Sequence, residues 1–269
     1  MARKSESRAT HVYDDHQSGH VDGALSSLLG SLEVFGNQAT VIISNPNGIS
    51  VNGMALTNMP GLALITGSVQ FLTGVGGTST NGANAGALAY RVSSGNLSIN
   101  GPPGVNGPGA GIAGTVGNID IIGQTLNVNA PPQADSLVNL IAGNQIVSPT
   151  ATDFTGMATN GSVNTAAVIG NGGVATDVNQ FGSVTSGQVF IVSTAAGMGE
   201  NTQGTLSATA GNVVVSSNGD INVGWTFTSQ NVSLTSAGNT TVSGGGLASH
   251  NYTIAAKGDS NATGSVSAG

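Results

Sequence analysis

The residues of this chain best suited to chemistry are seven carboxylates spread along its body: Asp120, Asp135, Asp153, Asp177, Glu200, Asp220 and Asp259. Two such groups on one face could act as acid and base on a glycosidic bond. The acids stand singly, however, most of them in Gly/Asn-rich turns, and Arg91 is the only basic residue between Arg8 and Lys257. A polysaccharide-cleaving site needs clustered acids, with basic and aromatic neighbours that hold sugar, so these seven read as turn residues. His11, His16 and His20, with Asp14, Asp15 and Asp22, supply metal-ligating types. They fall in a polar leader with no hydrophobic period to preorganise them, and no metal site is read there. Cysteine is absent, which removes thiolate ligands and disulfides alike. The run GVGGTSTNG at 74–82 does not match a phosphate loop, which would need a strand before it and a helix after it. No catalytic, cofactor or metal residue is assigned, and the chain reads as non-enzymatic.

One short motif has a clear local mechanism. Asn45-Pro46-Asn47-Gly48 lies between the apolar runs Val41–Ile43 and Ile49–Val51. Proline fixes φ near −65°, and Asn-Gly tolerates positive φ, so the chain can reverse between two strands. Turn chemistry alone makes this a structural reversal and assigns it no partner.

The elements that would carry such turns show in the C-terminal third. Asn212 opens NVVV, Asn231 opens NVSL and Asn251 opens NYTI; Gly219, Gly238 and Gly258 recur between them, followed by Asp220, Asn239 and Asp259. Both markers keep a spacing of about 19–20 residues, the kind of period that signals stacked repeats. Within a unit, apolar residues alternate with polar ones, as in Ile221, Val223, Trp225 and Phe227. Period two marks a strand with one buried face, so these four are expected inside and Asn222 and Thr226 outside. The segment 136–142 is the sole plausible helical turn, and it too reads as strand. The fold class is therefore all-β, a right-handed parallel β-helix with loop extrusions. Gly74–Gly86, Gly101–Gly111 and Pro131–Pro132 are the extrusions or loops.

Composition agrees with stacking. Charged residues make up 6% of the chain, against about 25% in ordinary soluble domains. A charge at a repeating position would face its own kind on every coil, about 4.8 Å away, and opposed like charges destabilise a sheet. Ser, Thr and Asn keep the surface wet without that repulsion. With a net charge of −7 and no basic stripe, nucleic acid is excluded as a partner. No apolar run reaches the length of a membrane helix, and residues 1–23 lack the apolar core of a signal peptide.

At Leu32–Ile49 the chain reads LEVFGNQATVIISNPNGI. This resembles the secretion region of filamentous haemagglutinin-like adhesins of the two-partner secretion family. LALITGSVQF at 62–71, YRVSSGNLSING at 90–101, IDIIGQTLNVNA at 119–130, LIAGNQIV at 140–147 and the segment 182–215 are similar to later coils in family order. The resemblance covers about residues 28–269. It implies a disordered, non-matching leader at 1–27, a partial two-partner secretion domain at 28–150, and continuing β-helix at 151–269. It further implies that Asn45, Pro46, Asn47, Gly48 and Ile49 form a secretion motif and that an outer-membrane transporter is the partner. The chain would then be an N- and C-terminally truncated fragment of a secreted or cell-surface adhesin of a Gram-negative bacterium, with no cofactor. A stalk fragment of a contact-dependent growth-inhibition toxin is the alternative within the class. Both solenoid ends are expected to be open and prone to end-to-end association.

Overall fold

The computed structural model describes residues 11–14, 24–71, 88–92, 94–100, 111–147, 178–180, 183–194, 197 and 199–269. Every regular element among these is a strand. The chain winds as a parallel β-solenoid with three faces, and each turn of the winding lays one strand segment on each face. The first face stacks 26–28, 49–52, Asn96–Asn100, Thr125–Val128, Val178–Gln180, 200–202, 221–223, 240–242 and Ser260–Ala262. The second stacks 30–33, 54–57 and 112–114, then Val184–Ser186, 205–208, 225–228, 245–248 and Ser265–Ala268. The third stacks His11–Asp14, Val41–Ser44, 62–65, 118–123, Leu137–Ala142, Gln188–Ser193, Val213–Ser217, Val232–Ser236 and Tyr252–Ala256.

Inward residues from all three faces form one aliphatic core. Ile49, Leu64, Leu97, Ile121, Leu140, Ile191, Val215 and Leu234 are all fully buried in it. Each such Leu or Ile contributes about 1.5–3 kcal/mol relative to exposure, so the column down the axis dominates stability. A second apolar layer lies outside the winding. The strands Gly67–Phe71, Leu88–Val92 and Gln145–Val147 form a small antiparallel sheet, ordered with Leu88–Val92 in the middle. Its Tyr90, Val92 and Val147 pack on Ile42, Ala63, Ile65, Ile122, Ile141, Phe190 and Val192, the outward residues of the third face. Runs such as LALI (62–65) and VFIV (189–192) are continuously apolar because both of their sides are covered.

The repeat reading holds at atomic level. Asn231 Nδ2 donates to Asn212 Oδ1 at 3.0 Å, and Asn251 Nδ2 to Asn231 Oδ1 at 3.0 Å. The second marker stacks as well: Asn239 N donates to Asp220 Oδ1 at 2.7 Å, and Asp259 N to Asn239 Oδ1 at 2.8 Å. Leu137–Ala142 is a strand, as read.

Pro131–Pro132, read as a loop or extrusion, lies on the second face, where Pro132 bridges Ile112 and Gln133 bridges Thr185 in parallel. Two further expectations need correction. In Ile221–Thr228 the first half is as expected, with Ile221 and Val223 buried and Asn222 exposed. The second half is inverted: Trp225 and Phe227 are exposed, and Thr226 is fully buried. The cause is a corner at Gly224, where the register shifts between Val223 and Trp225 and the chain passes from the first face to the second. A corner consumes one residue and reverses the alternation after it. The other correction falls within the 1–27 leader. His11–Asp14 pairs in parallel with Val41–Ser44, whose outer edge offers unpaired backbone groups, and Ser26–Glu33 starts the next coil. Residues 1–10 and 15–23 lie outside the described residues.

Candidate secretion site

Asn45-Pro46-Asn47-Gly48 forms the corner between the third face and the first, joining Val41–Ser44 to Ile49. Gly48 N donates to Asn45 O at 3.1 Å, closing the turn. Asn47 N donates to Asn45 Oδ1 at 2.9 Å, so the Asn45 side chain shapes the reversal that it opens. The same side chain donates through Nδ2 to Ala24 O at 3.1 Å and to Ser26 Oγ at 2.8 Å, on the preceding coil. On the following coil Ser94 Oγ donates to Pro46 O at 3.0 Å. The corner therefore ties three successive coils together. Gly48 sits at φ +123°, and a Cβ there would stand 2.9 Å from Asn96 O and 2.9 Å from Leu25 Cδ1, so both the angle and the close approach require glycine.

Burial sorts the five motif residues. Asn45, Gly48 and Ile49 are buried, Pro46 is half-buried and Asn47 is exposed. A macromolecule arriving from solvent can touch Asn47 and the edge of Pro46, while the other three act by holding the corner.

The TPS secretion domain family is matched over residues 21–223, the greater part of the chain and all of this corner. The chain belongs to that family. Similar relatives include filamentous hemagglutinin of Bordetella pertussis, 32% identical over 229 residues, which are 85% of this chain and 6% of that protein. A toxin CdiA of Yersinia pestis is 30% identical over 72% of this chain and 5% of its own length. A tRNA nuclease CdiA-2 of Burkholderia pseudomallei is 28% identical over 72% of this chain and, again, 5% of its own length. The chain thus spans about a twentieth of the curated relatives it matches. Among solved structures, a filamentous hemagglutinin secretion domain superposes with a TM-score of 0.61 at 24% identity, covering 92% of this chain and 73% of that one. That likeness bears on the fold alone.

The carboxylates do not converge. Asp135, Asp220 and Asp259 are exposed in turns, as the sequence suggests, and Asp153 and Asp177 lie outside the described residues. Asp120 and Glu200 differ from that expectation, because both stand in strands, Glu200 buried and Asp120 half-buried. Glu200 points inward on the first face, with Thr202 Oγ1 donating to its Oε1. A notch of about 130 Å³ beside it is lined by Gly197, Gly199, Asn201, Asp220 and Asn222. Asp120 stands on the third face, beneath the antiparallel sheet, where Asn139 Nδ2 donates to its Oδ1 at 2.6 Å. Burial pushes the Asp120 carboxyl up to about 6, against the lowering effect of the Asn139 bond. Burial and the nearby Asp120 carboxylate push the Tyr90 phenol up as well. Sequence reasoning missed this polar pair. Its signal was available in register: Asp120 in IDII and Asn139 in LVNLIA are the polar breaks in two apolar runs that stack directly. Among the described residues no group of three or more His, Asp or Glu could hold a metal. His16, His20, Asp15 and Asp22 of the leader lie outside that set.

Proposed function

We propose that this chain is the secretion-directing, non-catalytic part of a filamentous haemagglutinin-like exoprotein, carried to the cell surface or medium of a Gram-negative bacterium by an outer-membrane two-partner transporter. The observation that carries the reading is the family match over 21–223, on a solenoid whose motif corner binds three coils together. The Asn45–Ile49 motif serves export chiefly through folding, since only Asn47 and part of Pro46 face solvent. A growing stack of coils is itself a directional process: each coil templates the next through parallel backbone pairing, so folding outside the membrane can draw the chain outward.

The test is co-expression in a Gram-negative host of the whole chain, supplied with a signal peptide, and a two-partner transporter. Folded protein in the medium that depends on the transporter supports the proposal. If Asn45→Ala lowers export while Asn47→Ala does not, the motif acts through the corner; the reverse result overturns the folding role. A second reading, the stalk of a contact-dependent growth-inhibition toxin, is favoured by the CdiA relatives. Assaying the whole gene product for cell adhesion and for nuclease activity separates the two.

A further inference from the structure

Trp225, Phe227 and Leu247 are large apolar side chains exposed together on the second face, at 48%, 38% and 51%. The indole and phenyl rings lie parallel, 1° between planes and 5.9 Å between centroids. Trp225 is seated rather than free: it lies across Gly244 and Gly245 of the next coil, where a Cβ would come within 2.6 Å and 3.2 Å of the ring. Leu247 pairs in register with Phe227 one coil on. The coils above and below put hydroxyls on the same outward rows, Ser207 opposite Phe227 and Ser265 opposite Gly245. Segments 205–208, 225–228, 245–248 and 265–268 of this face contain no charged residue.

From this arrangement we propose that Trp225 and Phe227 form a binding platform for an uncharged glycan, with the pyranose ring stacked on the indole and its hydroxyls reaching the flanking serines. The C–H groups on one side of a pyranose carry partial positive charge and meet the negative face of an aromatic ring. The neutrality of the face suits a neutral sugar and gives nothing to a phosphate backbone or an anionic headgroup. Size argues against a second protein: the two rings together expose on the order of 200 Å², well below the roughly 800 Å² per partner of a stable interface. The platform begins just past residue 223, where the family match ends, so substituting it leaves the matched residues unchanged.

Trp225 is the sole tryptophan, so its fluorescence reports this site alone. The purified full chain is screened on an array of uncharged glucose-, galactose- and N-acetylhexosamine-terminated oligosaccharides, and the strongest binder is then titrated by fluorescence and calorimetry. The expected result is saturable binding with a shift in Trp225 emission. Affinity should fall about tenfold or more in Trp225→Ala, and by less in Phe227→Ala, with the strand signature of the circular dichroism spectrum retained in both variants. Binding that survives Trp225→Ala, or an array with no signal above that variant, would overturn the proposal. So would dimerisation in sedimentation that Trp225→Ala abolishes, or Trp225-dependent binding to phosphatidylcholine vesicles, each of which would assign the platform to another occupant.

Discussion

Asp120→Asn should stabilise the protein at neutral pH and change little in acid. The carboxyl stands on the third face beneath the antiparallel sheet, with Asn139 on the next coil and Tyr90 facing it from Leu88–Val92. Its folded pKa, about 6, lies above the unfolded value of 3.8, so the fold favours the protonated acid. That preference is fully present below about pH 3.8 and is lost as pH rises through 6. At 1.36 kcal/mol per unit the full cost of ionisation is roughly 2–3 kcal/mol, and the residue's partial exposure brings the net effect to about 1–2 kcal/mol. Asparagine is isosteric and neutral, so it removes this cost at pH 7.5. Urea unfolding of wild type and variant at pH 3.5 and 7.5 measures the difference, and other titrating groups cancel because both proteins share them. Native-state hydrogen exchange across 88–92 and 137–142 shows whether the gain sits where the sheet meets the winding. A variant no more stable than wild type at pH 7.5, or equally shifted at both pH values, would refute the reasoning.

Gly48→Ala should cost about 1–3 kcal/mol for the positive φ alone, plus the clash with Asn96 O, and a lowered urea midpoint together with reduced export checks it. Asn45→Ala removes bonds to Ala24, Ser26 and Asn47 and should destabilise by about 2 kcal/mol, whereas exposed Asn47→Ala should stay within about 0.5 kcal/mol; paired thermal melts decide. Asn231→Ala breaks the ladder to both neighbouring asparagines and should cost about 1 kcal/mol, read as faster exchange of the amides of Val213–Ser217 and Val232–Ser236.

The winding was legible because stacking repeats its own signals. Asn212, Asn231 and Asn251 recur at one point of the coil, and their side chains bond to one another there. Alternation was legible only within a face. Gly224 hides a corner inside an uninterrupted strand, so counting by twos from Ile221 puts Trp225 and Phe227 on the wrong side. A glycine inside a strand pattern is the cue for such a bend, and Gly30 and Gly53 mark the same kind of passage between the first and second faces. The Asn45–Gly48 corner was legible as a turn. The links of Asn45 to Ala24 and Ser26 were not, since 19 and 21 residues separate partners that only the coil period brings together.

The antiparallel sheet was the least legible element, yet its footprint is written into the strands it covers. On the third face the outward positions hold Ile42, Ala63, Ile65, Ile122, Ile141, Phe190, Val192 and Val214, all buried, with the bonded pair Asp120 and Asn139 as polar exceptions in the same row. One coil later the corresponding residues are Ser233 and Thr235, partly exposed, and then Thr253 and Ala255, exposed. The inner positions stay aliphatic across that boundary, with Val232 and Leu234 as buried as Val213 and Val215. The winding itself therefore asks for nothing on the outside, and the outer apolar stripe answers only to the cover. The switch from VVV to VSL marks where cover ends, close to residue 223, where the family match stops. Downstream, one buried face per strand suffices, and alternation with Ser, Thr and Asn can extend coil by coil.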